Sequence, residues 1–115
     1  VEDERGFALA EPIPGPTSER MSRLARELGV HISASLFERR APGMFHNTSI
    51  MLGPDGRIVG RYRKMHIPDD PRFYEKYYFT PGDLGFRVQN LAGDLTTGML
   101  VCSRSWRARS RRSWR

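Results

Sequence analysis

The stretch that decides how this chain folds is GRYRKMHIPDDPRFYEKYYFTPGDLGF, residues 60–86. It joins the end of a short basic strand to a proline/aspartate turn, an aromatic cluster around Glu75 and a second turn, Pro-Gly-Asp. A long segment without helical or alternating periodicity is more typical of a binding or active-site loop than of a linker. The charged residues Lys64 and Glu75, which lie beside apolar and aromatic neighbours, are therefore the first candidates for function.

Length and charge limit the possible classes. The 115 residues suffice for one small domain. A net charge of +6 and a pI near 10.2 would suggest a nucleic acid or an anionic membrane as partner. However, the tail at residues 103–115, SRSWRARSRRSWR, holds six arginines and no acid, so residues 1–102 are neutral. We therefore expect no nucleic-acid partner for the body, and a disordered tail that cannot bury an apolar face.

The sequence also indicates a compartment. A single cysteine excludes an intrachain disulfide and fits a reducing environment. No stretch has the length of a membrane span, and the acidic N-terminus lacks the basic and apolar regions of a signal peptide. It also lacks an initiator methionine, as a processed chain or a fragment would. We expect a cytoplasmic protein without a membrane partner.

Residues 11–16, EPIPGP, read as a non-helical surface connection because their three prolines remove amide donors. Thr17 then offers an N-cap oxygen, and apolar residues recur at helical spacing as far as Gly29. These recurring residues are Met21, Leu24, Ala25 and Leu28. The pattern predicts an amphipathic helix over residues 18–28, with Gly29 as its C-cap.

Strands are predicted from alternation and from bounding turns or charges, and the charged Glu38-Arg39-Arg40 is expected to end the first strand. The turns are Ala41-Pro42-Gly43 and Gly53-Pro54-Asp55-Gly56, the second of which makes a hairpin of the strands on either side. The five predicted strands cover residues 30–37, 45–52, 57–63, 84–91 and 95–102. One helix and about five strands define an α/β fold.

Two basic or nucleophilic side chains lie at predicted strand ends, where α/β enzymes place catalytic groups. Lys64 closes the third strand, and the alternative is a solvated lysine among Arg61 and Arg63. Cys102 ends the fifth strand and would serve as a nucleophile if a cation lowered its pKa. The alternative for this thiol is a small buried apolar residue.

Glu75 lies in an aromatic environment, so a partly desolvated carboxylate that orients a cation is one interpretation. A surface ion pair with Lys76 or Arg72 is the other. The histidines show no spacing that suggests a metal site, and the scattered methionines suggest no cofactor. The histidines are His31, His46 and His66.

Residues 36–86, LFERRAPGMFHNTSIMLGPDGRIVGRYRKMHIPDDPRFYEKYYFTPGDLGF, resemble the central part of the nitrilase (carbon–nitrogen hydrolase) superfamily, and most closely its N-carbamoylputrescine amidases. The likeness extends over residues 8–86, and YRKMHIPDDP together with YEKYYFTPGD carries it. The resemblance implies a partial α-β-β-α sandwich and hydrolysis of a small carbamoyl or amide substrate. It implies no metal or organic cofactor, and a parent protein that pairs through its sheets as a homo-oligomer.

The family's site residues can be carried over by motif. Lys64 in YRKMHIP matches the family lysine, Glu75 in YEKYYF matches its second glutamate, and Cys102 in GMLVC resembles its cysteine nucleophile. In such enzymes the thiolate attacks the carbonyl carbon, the lysine ammonium and a backbone amide stabilise the oxyanion, and a glutamate acts as general base.

Two departures from the family pattern bear on activity. The first family glutamate belongs upstream of this chain, and Glu2, Glu4 and Glu11 do not lie in its motif. After Cys102 the relatives continue with a Trp-Asp-x-Trp sequence, which is absent here. We therefore expect a partial hydrolase domain at residues 1–102, a non-homologous tail from a truncated or frame-shifted product, and no activity of the chain alone.

Other functions remain open at the level of sequence. Another linear amidase or carbamoylase is one alternative, although Asp69, Asp70 and the aromatic cluster would suit a cationic amine substrate. A second alternative is a non-catalytic fragment whose arginine and tryptophan tail binds RNA or an acidic surface.

Overall fold

The computed structural model describes residues 3–65, 67, 69–70, 73–85, 88–92 and 95–99. Within these ranges it contains one α-helix, seven strands and two short 3-10 helices, which confirms the α/β class. Helix α1 spans Pro16–Leu28, and the 3-10 helices span Glu4–Leu9 and Glu75–Tyr77. The strands are β1 (Ile32–Ala41), β2 (Met44–Leu52), β3 (Ile58–Arg63), β4 (Asp69–Asp70), β5 (Phe73–Tyr74), β6 (Val88–Ala92) and β7 (Leu95–Gly98).

The largest sheet is antiparallel, with β2 between β1 and β3. In its register Thr48 on β2 lies opposite Leu36 on one side and Arg63 on the other. The predicted hairpin at residues 53–56 joins β2 to β3, and Gly56 adopts the left-handed φ of 83° that this turn requires. Strands β4 and β5 form one further antiparallel pair, and β6 and β7 another.

Helix α1 covers one face of this sheet. Ala25 of the helix packs in a buried cluster with Leu36, Ile50 and Leu52. Because successive strand residues point to opposite faces, Met51 lies on the other side, where it packs with Tyr62 and Met99. The sheet therefore has helix α1 on one side and the β6–β7 side of the structure on the other. The end of β3 lies between them.

The start of α1 differs from the prediction in that Thr17 is not the N-cap. Gly15 holds that position, and its amide donates to Ser18 Oγ over 2.8 Å. The carboxylate of Glu11 accepts from the amide of Thr17 at 2.8 Å and from its hydroxyl at 3.0 Å. Glu11 lies before the helix and so provides an acceptor for a backbone N–H of its first turn. The helix begins at Pro16, inside the predicted connection. Proline suits the first position of a helix because it has no backbone N–H that would lack a partner there. Gly29 is the C-cap as predicted, with φ 63°.

Strand β1 was predicted too early and too short, at residues 30–37. It starts at Ile32 because the amide of Val30 still closes the helix end by bonding to the Ala25 carbonyl. It continues to Ala41 because Glu38, expected to end the strand, lies inside it with a buried ion pair. Strands β2 and β3 match their predicted ranges to within one residue.

The last two predicted strands are shorter in the structure. β6 does not begin at residue 84, because Gly85 takes a left-handed φ of 72° that interrupts extended backbone. β7 ends at Gly98, which pairs with Val88, the first residue of β6. The rest of the predicted fifth strand, residues 100–102, lies outside the described residues.

The stretch at residues 60–86 is less irregular than its sequence suggests. β4 and β5 pair through Asp69 with Tyr74 and Asp70 with Phe73, and a 3-10 helix follows at once. Elements of two or three residues are too short to produce a periodic signal. None of the helices in the described ranges is long and apolar enough to cross a membrane.

Candidate active site at the end of strand β3

Lys64 lies directly after the end of β3 and is buried. Its amide donates to the carbonyl of Asn47 on the neighbouring strand over 2.8 Å, which extends the ladder by one bond. Its side chain is only 4% exposed. The alternative of a solvated lysine is therefore wrong, because a buried ammonium needs a compensating partner.

The partner of Lys64 is Glu75. Lys64 Nζ lies 2.7 Å from Glu75 Oε2, and the glutamate side chain keeps 30% of its surface exposed. Glu75 starts the second 3-10 helix, and its carbonyl accepts the amides of Tyr78 and Phe79 at 3.0 Å each. The structure thus brings Lys64 and Glu75, the two charged residues first singled out, together in one ion pair.

Aromatic contacts hold the segment that carries Glu75. The Tyr78 hydroxyl accepts from the amide of Asp3 at 2.7 Å and donates to its carbonyl at 3.0 Å. The ring of Phe7 lies 4.7 Å from that of Phe45 and 5.2 Å from that of Tyr78, between centroids. The N-terminal 3-10 helix therefore packs against the turn that follows Glu75.

Arg63, the residue before Lys64, forms a second ion pair, and both of its side chains are buried. Arg63 Nε donates to Glu38 Oε1 at 2.7 Å and Arg63 Nη2 to Glu38 Oε2 at 2.8 Å, while the Thr48 hydroxyl donates to Oε1 at 2.9 Å. The Glu38 side chain is 2% exposed. Burial raises the pKa of Glu38, but the hydrogen bonds from Arg63 and Thr48 outweigh it, so the pKa lies below its usual 4.5. Glu38 is therefore charged at neutral pH.

Glu38, Arg63 and Thr48 were not predicted as site residues from the sequence. A signal was available, since Glu38 follows Leu36 by two residues and so points to the same face as this core residue. Extending the alternation beyond Phe37 would have placed a carboxylate inside the protein, where it needs a cation.

Among the remaining candidates, His46 has a described side-chain contact. His46 is buried on β2, and its Nδ1 hydrogen-bonds to the carbonyl of Thr80 at 2.9 Å. Cys102, His66 and Arg72 lie outside the described residues, and Asp69 and Asp70 are described only by their strand pairing. Across the ranges that are described, no three His, Cys, Asp or Glu side chains gather as a metal site would require.

The Lys64–Glu75 arrangement suits stabilisation of a developing negative charge. An ammonium has three N–H donors, so one held by a carboxylate can still donate to a substrate oxygen. In a site from which water is largely excluded, such a donor interacts more strongly than in bulk water, and it needs no reorganisation during the reaction.

Comparison with known families identifies a match to the carbon-nitrogen hydrolase family over residues 1–114. The chain is 44% identical over 108 residues to N-carbamoylputrescine amidase from Solanum lycopersicum, which covers 92% of this chain and 35% of that protein. It is 40% identical over 101 residues to a nitrilase from Pyrococcus abyssi, and this match covers 86% of this chain and 36% of the nitrilase. The chain thus spans about a third of the length of these relatives.

The fold also occurs in solved structures of other proteins. A carbon-nitrogen hydrolase from Helicobacter pylori G27 matches 80% of this chain and 30% of its own, with 46% identity and a TM-score of 0.74. The second is a mutant of the amidase from Nesterenkonia sp. AN1 with the acetamide moiety of fluoroacetamide on its active-site cysteine. The match covers 74% of this chain and 31% of the amidase, with 26% identity and a TM-score of 0.64. The strands and the helix of this chain therefore follow the nitrilase-type architecture.

Proposed function

Because the chain belongs to the carbon-nitrogen hydrolase family, we propose that Lys64 and Glu75 are site residues of an amidase that acts on linear amide or carbamoyl groups. The observation that carries this proposal is the 2.7 Å contact between a 4% exposed ammonium and the Glu75 carboxylate at a strand end. In this role Lys64 donates to the substrate oxygen, and Glu75 fixes the direction of its ammonium.

Cys102 completes the proposed site as the nucleophile. Met99, three positions earlier, packs in one cluster with Tyr62 and Met65, which flank Lys64 in the chain. The support for Cys102 itself is its motif, GMLVC, which resembles the one around the cysteine nucleophile of the family.

The proposed substrate is N-carbamoylputrescine. The support for it is the 44% identity to an enzyme of that name, with a second, from Solanum tuberosum, at 43%. A citrullinase from Francisella tularensis at 36% and the Pyrococcus nitrilase at 40% mark the competing assignments. Another carbamoylase or linear amidase is accordingly the second candidate.

The proposed reaction uses these groups in sequence. The Cys102 thiolate attacks the carbamoyl carbon, a carbon–sulfur bond forms, and the carbonyl oxygen becomes an oxyanion that Lys64 and a backbone amide stabilise. The carbon–nitrogen bond then breaks, and the nitrogen leaves as ammonia after it accepts the proton that the thiol gave up. Water hydrolyses the thioester-like intermediate, which restores the thiol and leaves a carbamate that decomposes to putrescine and carbon dioxide.

The experiment has two arms, both of which measure ammonia release from N-carbamoylputrescine, citrulline and a simple aliphatic amide. The first arm uses the 115-residue chain beside Cys102→Ala. The second uses a chimera in which residues 8–99 of this chain replace the matching segment of the Solanum lycopersicum enzyme. The prediction that the chain alone is inactive is contradicted if it releases ammonia above the Cys102→Ala background.

The chimera tests whether residues 8–99 of this chain can supply the lysine and the second glutamate of a working amidase. We expect it to release ammonia from N-carbamoylputrescine in preference to the other two substrates. A folded chimera that prefers citrulline or the aliphatic amide would favour the second candidate, and one that hydrolyses none of them would contradict the proposed function. The expected cytoplasmic location and homo-oligomeric parent stay predictions.

A further inference from the structure

The segment that follows Glu75 is bonded to the ends of β2 and β3 along most of its length. We call residues 80–83 the return segment. Three hydrogen bonds attach its backbone to the sheet. They join Thr80 N–H to Phe45 O (2.6 Å), Thr80 O to His46 Nδ1 (2.9 Å) and Gly82 N–H to Lys64 O (2.8 Å). The last bond fixes the peptide of Lys64 itself.

The return segment crosses β3 at very close range. A Cβ atom at Gly82 would overlap the carbonyl oxygen of Arg63 and would lie 2.5 Å from its Cβ. Only glycine allows the backbone of the segment to approach the strand so closely. The position of the segment is therefore set against Arg63 and Lys64 by direct backbone contact.

Charge reinforces this contact. Asp83 lies 3.7 Å from Arg63 Nη1 and 2.7 Å from Arg40 Nη1, and the hydrogen bond from Arg40 lowers the pKa of Asp83. Arg63 in turn cannot swing away, because its guanidinium is held by both oxygens of buried Glu38. One arginine thus connects the interior of the sheet to the return segment.

The return segment also determines where Glu75 lies. The turn at residues 75–79 is closed by the two amides that donate to the Glu75 carbonyl, and it leads directly into Thr80. A displacement of the return segment would therefore move the Glu75 carboxylate relative to the Lys64 ammonium.

We propose that Arg63, held by Glu38, is a positioning residue that keeps the Lys64–Glu75 pair in its productive geometry through the return segment. Catalytic use of this geometry rests on the proposed function, whereas the positioning itself does not. Arg63 has no part in the proposed contacts to the substrate oxygen or in the attack by the thiol. It acts by holding the two elements that carry the paired charges.

The test measures the reactivity of Lys64 inside the folded protein. Lys64 and Lys76 are the lysines of this sequence, the first buried and the second exposed, so Lys76 is an internal reference. Brief acetylation with acetic anhydride is followed by cleavage after arginine, which places the two lysines on different peptides because Arg72 separates them. Mass spectrometry then gives the ratio of acetylated Lys64 to acetylated Lys76.

Two variants disturb the positioning by different routes. Glu38→Gln with Arg63→Met removes both buried charges together, which avoids leaving one charge unpaired. Gly82→Ala forces the return segment away from β3 and leaves all charges in place. Gly53→Ala is the matched control, since a Cβ there meets only Asp55 and Val59 side chains inside 3.4 Å, at the other end of the hairpin. Circular dichroism establishes that each sample is folded.

We expect the acetylation ratio to rise roughly fivefold or more in both variants and to stay unchanged in Gly53→Ala, because local opening exposes the ammonium without global unfolding. A ratio equal to that of the parent in a folded variant would overturn the proposal, since a purely structural role lowers stability without changing Lys64. If the double variant does not fold, Asp83→Asn decides by the same ratio, because it removes the charge that Arg63 faces in the return segment. Ammonia release by the matching chimeras is recorded separately, so a failure of the proposed function stays distinguishable from a failure of the positioning.

Discussion

Lys64 Nζ and Glu75 Oε2 are 2.7 Å apart, and the ammonium is far more deeply buried than the carboxylate, with side-chain exposures of 4% and 30%. Arg63, the residue before Lys64, makes a comparable ion pair with Glu38. Glu38 precedes both cations in the chain, whereas Glu75 follows them. Two adjacent cations at one strand end therefore depend on carboxylates from two different segments. The consequences can be tested residue by residue.

The unequal burial of the first pair predicts unequal costs of mutation. Glu75→Gln leaves the buried Lys64 ammonium without its charged partner and should lower the free energy of unfolding by about 1–3 kcal/mol. Lys64→Met leaves only a partly exposed carboxylate, which water can solvate, so its cost should be smaller. Urea unfolding of both variants measures the difference. A larger loss for Lys64→Met than for Glu75→Gln would contradict the burial assigned to the pair.

Removal of one partner of the Glu38–Arg63 pair should lower the free energy of unfolding more than removal of both. Arg63→Met alone leaves Glu38 as an unpaired buried charge, and we expect a loss of about 3–5 kcal/mol in the free energy of unfolding. Combining it with Glu38→Gln should recover a large part of that loss, because no buried charge then remains. A double-mutant cycle by urea unfolding gives the coupling. Strict additivity of the two single losses would show that Glu38 and Arg63 do not interact as the structure has them.

Glu38 also predicts how stability changes in acid. Its pKa in the folded protein lies below the ordinary 4.5, so its contribution to stability is present above that pH and is lost as the pH falls through the folded-state value. The free energy of unfolding should therefore decline below about pH 4.5. The decline should be shallower in Glu38→Gln, with Asp55→Asn, an exposed carboxylate, as control. Equal acid slopes for the parent and for Glu38→Gln would be evidence against a charged, stabilising Glu38.

Tyr78 should hold the N-terminal helix in place. Removal of its hydroxyl in Tyr78→Phe deletes both bonds to the Asp3 backbone, which are worth about 1 kcal/mol each, so local opening should become roughly fivefold more frequent or more. The rate of trypsin cleavage after exposed Arg5 measures this opening. Tyr74→Phe, whose ring is half exposed, should leave the rate unchanged. An unchanged rate in Tyr78→Phe would mean that the hydroxyl does not secure this segment.

Sequence patterns predicted the elements that have a clear period or a stop signal. The amphipathic repeat and Gly29 gave the body and end of α1, and the 53–56 turn gave the β2–β3 hairpin. The helix start was missed because Glu11, six residues earlier than Thr17, supplies the capping oxygens, and such a contact leaves no local pattern. The predicted strand β1 is too short because a charged residue, Glu38, favours a strand end, whereas in the structure its pairing with Arg63 compensates for its burial.

The candidate site was predictable in its members but not in its geometry. Lys64 and Glu75 followed from motif resemblance and unusual neighbours, whereas composition alone favoured solvent exposure for both. Their contact depends on the short 3-10 helix and the return segment, which have no periodic signal. The role of Cys102 stays a prediction, because this residue lies outside the described ranges.

The most direct test of the central claim is kcat for N-carbamoylputrescine hydrolysis by the chimera that carries residues 8–99, compared between Lys64→Met and Lys76→Met. Loss of a preorganised oxyanion donor typically lowers kcat by about 100-fold or more, and we predict such a loss for Lys64→Met. Lys76→Met, the exposed neighbour of Glu75, should keep the parent rate. Equal rates for the two folded variants would contradict the assignment of the Lys64–Glu75 pair to the active site.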